Sequence, residues 1–176
     1  MDIFVEKLVK KKLDGNDMLI IGGSIALAVV VISAIILFLG PYGASLILCL
    51  AVVYLTYMVI SSRRIEYEYA FTNGELDIDK IVNKRKRENL ISANCREFEI
   101  FAKADSDKIS KYLEEIEDRI MAVSSLDSED IYVFVAKKKI DEDEDRTKSK
   151  RVLVFFEPNE KMLKSIRLMI PGKVFE

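Results

Sequence analysis

The chain has 176 residues, 27 of them basic and 29 acidic, for a formal charge of −2, yet residues 18–60 contain no Asp, Glu, Lys or Arg. The mean hydropathy of +0.12 therefore averages a segment apolar enough for lipid with a soluble part of about 116 residues, the size of one small domain, and a plain soluble globule is excluded. The absence of His and Trp excludes Ser-His-Asp and Cys-His nucleophiles, a His proton shuttle and His-ligated metal sites.

Residues 2–13 read DIFVEKLVKKKL. On a helical projection Phe4, Val5, Leu8, Val9 and Leu13 gather on one side. Glu6, Lys7, Lys10 and Lys11 gather on the other, with Lys12 intruding among the apolar positions. The spacing predicts an amphipathic helix over 1–17, either lying in the headgroup plane with its lysines near anionic lipid or packing on the soluble domain through the same face. Asp14, Gly15, Asn16 and Asp17 break it.

The apolar stretch is too long for one span, since a bilayer core takes about 20 helical residues. Gly40, Pro41, Tyr42 and Gly43 form a strong turn signal that divides it into a hairpin over 18–60, with spans at 18–39 and 42–60. The short connection makes the two helices antiparallel neighbours. Lys7, Lys10, Lys11 and Lys12 precede the first span, Arg63 and Arg64 follow the second, and the connection carries no basic residue. This bias predicts a multi-pass protein of the cell membrane with both termini cytoplasmic. A cleaved signal peptide fits less well, because the apolar run is too long and a second span follows at once. Gly22, Ser24, Ala26 and Ala28 place small residues on the first span, either as a dimer face or as packing against the second. No charge inside the spans marks an ion or proton path.

Residues 61–176 form the cytoplasmic domain. Ile65, Tyr67, Tyr69 and Phe71 alternate with polar residues up to Asn73 and Gly74, the strongest short hairpin signal. A two-residue turn sets Phe71 opposite Leu76 and Tyr69 opposite Ile78. Ile81 breaks the parity and predicts a bulge near Asp79 and Lys80. Strands are expected at 86–92 and 96–103, the latter pointing Phe98 and Ile100 one way and Phe101 the other. A helix is expected over 106–121 through Ile109, Tyr112, Leu113, Ile116 and Ile120, then a short strand at 121–124. Strands at 131–136 and 151–156 flank a long polar loop. Glu157, Pro158 and Asn159 open a last helix whose apolar face is Met162, Leu163, Ile166, Met169 and Ile170, ended by Pro171 and Gly172. Exposed apolar surface at Phe101 or Leu168 is a lead to a partner site.

Lys84, Arg85, Lys86 and Arg87 are the most informative cluster. A strand that starts at the membrane and returns after the Asn73 turn brings them back near Arg63 and Arg64. These six cations are candidate lipid-headgroup contacts, each worth about 1 kcal/mol at an anionic leaflet; the alternative is a solvated turn obeying the charge bias of cytoplasmic loops. The domain is net acidic and the run short, which argues against nucleic acid. The acidic run 141–145 lacks the Gly and Glu of a calcium loop, since Arg146 and Val152 hold those positions, and reads as a solvated hairpin tip. Cys95 beside Arg96 is slight ground for a reactive thiol, and Cys49 lies in the apolar stretch. No phosphate-binding loop, dinucleotide fingerprint or catalytic carboxylate pair is present, so no catalytic residue, cofactor or metal ligand is assigned.

About seven short strands, one intervening helix and a closing amphipathic helix make an α+β order that resembles the pleckstrin-homology superfold, a bent barrel or roll plugged by a C-terminal helix. The opening MDIFVEKLVKKK, the hairpin IEYEYAFTNGELDIDKI, the KRKR run and the ending VFFEPNEKMLKSI make the chain similar to a two-span membrane protein family of Gram-positive bacteria with a pleckstrin-like domain and no assigned reaction. The resemblance implies placement rather than chemistry and is weakest over 104–130. The expected role is a non-enzymatic, membrane-anchored binding or scaffolding module that contacts lipid. The alternative is an accessory subunit of a larger transport or secretion complex, with a membrane or cytoplasmic protein as partner.

Overall fold

Residues 4–10 satisfy two periods at once, since Phe4 and Leu8, or Val5 and Val9, share a face in a helix and in a strand alike. In the computed structural model, which describes residues 3–40, 42–141 and 147–175, they form a strand, β1 (Phe4–Lys10). It pairs antiparallel with β2 (Ile65–Thr72), from Phe4 opposite Thr72 to Lys10 opposite Glu66. This corrects the expected amphipathic helix. So short a segment nucleates a helix poorly, whereas a full ladder to β2 satisfies its backbone and buries Val9. Phe4 and Leu8 stay exposed on the outer face.

Between these paired strands runs the apolar hairpin, α1 (Gly15–Leu39) and α2 (Gly43–Ser62). Their 25 and 20 residues measure about 37 and 30 Å, long and apolar enough to cross a membrane. Both helices extend beyond the expected spans at the domain end. Half-buried Ile21, Ser24, Ala28, Val31 and Ile35 recur on one side of α1, and Cys49, Val52 and Thr56 on one side of α2. These are the faces by which the two helices meet, so Ser24 and Ala28 are hairpin packing. Gly22 and Ala26 face outward.

The first sheet has the order β1-β2-β3-β4, with β3 (Glu75–Val82) and β4 (Lys86–Asn94). The Asn73–Gly74 turn gives the expected register, Phe71 opposite Leu76 and Tyr69 opposite Ile78. The irregularity falls between Ile78 and Asp79 and lies in the β3–β4 ladder, where Ile78 faces Ile91 and Asp79 faces Asn89. The second sheet has the order β6-β8-β7-β5-β9, built from β5 (Phe101–Lys103), β6 (Arg119–Ala122), β7 (Tyr132–Asp141), β8 (Thr147–Phe156) and β9 (Val174–Phe175). No ladder joins the two sheets among the described residues, so the architecture is an open PH-like roll rather than a closed barrel.

The centre of the second sheet is buried on both faces. Phe101, Phe134, Val154 and Phe156 join the core shared with the first sheet, and Ile100, Val133, Val135 and Leu153 pack under α3 (Asp107–Glu115) through Ile109. This explains the unbroken apolar run from Ile131 to Ala136. It also corrects the reading of Phe101 as an exposed lead, because its ring is fully buried between Phe98, Tyr132 and Phe156. The strand expected over 96–103 is a single 3₁₀ turn, Cys95–Glu97, followed by three-residue β5; the Asn94 side chain accepts from the Arg96 N–H at 3.1 Å and bends the chain. The helix expected over 106–121 stops at Glu115, and Ile120 lies on β6, parallel to β8.

The last helix, α4 (Glu160–Met169), is capped by Asn159, whose side chain accepts from the Met162 N–H at 2.8 Å. Met162 and Ile166 are fully buried in the shared core, while Leu168 is 79% exposed. Met169 reaches the Asn73–Gly74 turn, where a side chain on Gly74 would come within 2.9 Å of its sulfur.

Candidate membrane-docking site

The chain leaves α2 through Arg63 and Arg64 and enters β2 at once. The turn between β3 and β4 comes back to the same point, where the Asn83 N–H donates to the Arg64 carbonyl at 2.8 Å. The Arg85 N–H closes the turn on the Val82 carbonyl at 3.1 Å, and Asn83 and Lys84 both adopt positive φ, 51° and 55°. Glycine suits such positions better than lysine does. Lys84, Arg85 and Lys86 are exposed there beside exposed Arg64, and none of the four forms an ion pair among the described residues.

The start of α1 lies at the same end of the domain. Lys11 donates to Asp14 at 2.7 Å and to Asp17 at 3.1 Å, and the Asp14 N–H donates to the Asp17 carboxylate at 3.2 Å. Arg63 approaches Asp17 at 3.9 Å. The neighbouring carboxylates hold the Lys11 proton and raise its pKa above the usual lysine value, Asp14 most strongly. Lys11, Asp14, Asp17 and Arg63 thus balance one another's charge.

The six candidate cations therefore divide. Arg63 is turned to Asp17, and Arg87 bridges Glu68 at 2.5 Å and Asp79 at 3.6 Å on the outer face of the first sheet. Arg64, Lys84, Arg85 and Lys86 remain together at the base of α2. Exposed Lys10 and Lys12 belong at the same end, since Lys10 stands opposite Glu66 and the Lys11 N–H donates to the Ile65 carbonyl at 3.0 Å. The sequence alone predicts them on a separate helix; the pairing of β1 with β2, beyond the whole hairpin, is what brings them to this cluster.

A second loop meets the hairpin at its other leg. The Lys12 N–H donates to the Ser124 carbonyl at 2.8 Å. Ser124 is held in turn by the buried carboxylate of Glu157, which accepts from its N–H and its hydroxyl, each at 2.8 Å.

The other candidates have ordinary surroundings. Cys95 is fully buried against Met169, and burial pushes its thiol pKa up, the opposite of a reactive thiolate. The acidic run 141–145 lies outside the described residues except for the backbone of Asp141. Among the described residues no group of three or more Cys, Asp or Glu is placed to hold a metal ion.

The family model described as Bacterial PH-like domain (DUF6106) matches residues 1–176. No curated protein and no solved structure matches the chain.

Proposed function

Because the chain belongs to the bacterial PH-like domain family, we propose that it is a membrane-anchored, non-catalytic binding module whose domain rests on the anionic headgroups of the membrane its own hairpin crosses. PH-like domains are generally non-catalytic and commonly bind lipids or proteins, and two apolar helices fit a membrane-associated member. The β1–β2 ladder supports a same-side arrangement, since residues on either side of the hairpin, Lys10 and Glu66, stand opposite one another. Basic residues on that side favour the cytoplasmic face.

The observation that carries the lipid reading is the bond from Asn83 to Arg64, which fixes a turn of exposed cations where the chain leaves α2. At about 1 kcal/mol per cation near an anionic surface, Arg64, Lys84, Arg85 and Lys86 together contribute on the order of 4 kcal/mol, weakened by salt.

The test is hydrogen exchange of the full chain in phosphatidylcholine nanodiscs with and without phosphatidylglycerol. Residues 82–86 are expected to be protected by phosphatidylglycerol at low salt, and to lose that protection at high salt or when all four cations become Ser. Equal exchange in both lipids would remove the headgroup reading.

The accessory-subunit reading has one supporting feature, the outward Gly22 and Ala26 on α1, which suit close approach of another helix. Native size in mild detergent separates the two readings, because a monomer is incompatible with a stable complex.

A further inference from the structure

The two legs of the hairpin are each tied to a loop of the domain, and the two loops differ in chemistry. The leg leaving α2 holds the basic turn through Arg64 and Asn83, and the leg entering α1 holds the loop after β6 through Lys12 and Ser124. That second loop makes a tight turn. The Ser128 N–H donates to the Ser125 carbonyl at 3.4 Å, and the Asp127 N–H donates to the Ser125 hydroxyl at 3.3 Å. Leu126 stands at its tip, 72% exposed, in a chain whose other apolar residues in this loop region, Ala122 and Val123, are buried.

We infer that Leu126 is an interfacial anchor, inserting into the acyl–headgroup boundary of the bilayer beside the start of α1 while the basic turn contacts headgroups beside the end of α2. Its position follows from the chain. Lys12 lies three residues before α1 begins, and Leu126 is two residues, at most about 7 Å, from the carbonyl that Lys12 bonds. Leu13, 45% exposed, adds a second apolar side chain at the same level. Nearby Lys12 suits an anionic surface, and the Asp127 carboxylate is turned back onto the Ser125 hydroxyl at 3.4 Å. Glu157 makes the anchor stiff, because its two bonds to Ser124 fix the base of the turn against the core. An apolar tip on one side and cations on the other set the tilt of the domain on the membrane. The inference rests on the hairpin crossing the membrane as proposed above.

The chain contains no Trp, so single-tryptophan variants report one site each. Leu126→Trp, Leu13→Trp and Leu168→Trp of the full chain are placed in vesicles of phosphatidylcholine and phosphatidylglycerol, with brominated or unbrominated acyl chains. Leu168 lies near the end of α4, whose Met169 packs on the turn at the far end of β2, and serves as the membrane-distant control. The expected result is bromine quenching at Leu126→Trp comparable with that at Leu13→Trp, and none at Leu168→Trp. Quenching at Leu13→Trp without quenching at Leu126→Trp overturns the anchor and leaves the spanning hairpin intact. Absence of quenching at Leu13→Trp removes the hairpin reading and the anchor with it. Equal quenching at all three sites also overturns the anchor, since it means a domain lying on the bilayer without the stated orientation.

Discussion

The hydroxyl of Tyr69, in the first sheet, donates to the backbone carbonyl of Ala122, in the second. The same oxygen accepts from the Glu157 N–H at 3.3 Å, so one fully buried side chain ties both sheets to the segment that leads into α4. Among the described residues the sheets share no ladder, and this polar junction helps specify how they pack, which apolar contact alone does less well.

Tyr69→Phe keeps the ring, its edge-to-face contact with Phe156 and nearly all of its volume. It leaves a buried carbonyl and a buried N–H without their shared partner, which costs about 1–3 kcal/mol. A lowered unfolding midpoint of the domain, followed by circular dichroism of the full chain in mild detergent, checks this. A change within error would mean that the junction contributes nothing net.

Alkaline pH probes the same residue. Burial pushes the phenols of Tyr69 and Tyr67 above the ordinary tyrosine value, because the ionised form is poorly solvated there. The unfolded chain ionises near pH 10, so this contribution to stability is complete below about pH 10 and is lost as pH rises through the raised folded values, by up to about 1.4 kcal/mol per pH unit for each phenol. Tyr69→Phe is expected to flatten the fall in stability above pH 10. An unchanged slope would assign the fall to other groups.

Lys84→Gly separates stability from binding. Glycine adopts the positive φ of residue 84 without strain, so stability is expected to hold or rise by up to about 1 kcal/mol. The phosphatidylglycerol-dependent protection of residues 82–86 is expected to weaken, since one of four clustered cations is gone. Loss of stability together with unchanged protection would reverse both expectations.

The ladder between β1 and β2 implies a soluble form of the domain. Replacing residues 13–63 by a short turn joins two strands that already face each other, with the Lys11 N–H 3.0 Å from the Ile65 carbonyl. This chain is expected to be soluble and to melt cooperatively. Residues 65–176 alone lack β1 and expose the edge of β2. They also lose the burial of Val9 and part of Val5, at about 1.5–3 kcal/mol for a fully buried Val, and are expected to be less stable and to aggregate. Equal melting of the two fragments would show that β1 is dispensable.

Local chemistry made several elements legible. Asn73 and Gly74 announce a two-residue turn, and its register follows because alternation on both sides matches only one pairing. The helical spacing of Met162 and Ile166 survives intact as α4. What was illegible depended on distant partners. Nothing local separates helix from strand in residues 4–10; the decision comes from β2, beyond the whole hairpin. Alternation over 96–103 could not show that the second sheet is covered on both faces, so Phe101 read as exposed. Likewise the basic cluster was visible as a run, but the diversion of Arg87 depends on Glu68 and Asp79 on neighbouring strands, and that of Arg63 on Asp17 at the start of the other helix.

The insertion of the hairpin between two paired strands also sets an order of events during synthesis. β1 leaves the ribosome about 55 residues ahead of β2, which at typical rates of ~5–20 residues per second leaves it without its partner for several seconds. If only one helix is inserted, the two strands are stranded on opposite sides of the bilayer and the sheet never forms. With the hairpin crossing the membrane as proposed, closure of the first sheet would select those chains in which both helices have crossed.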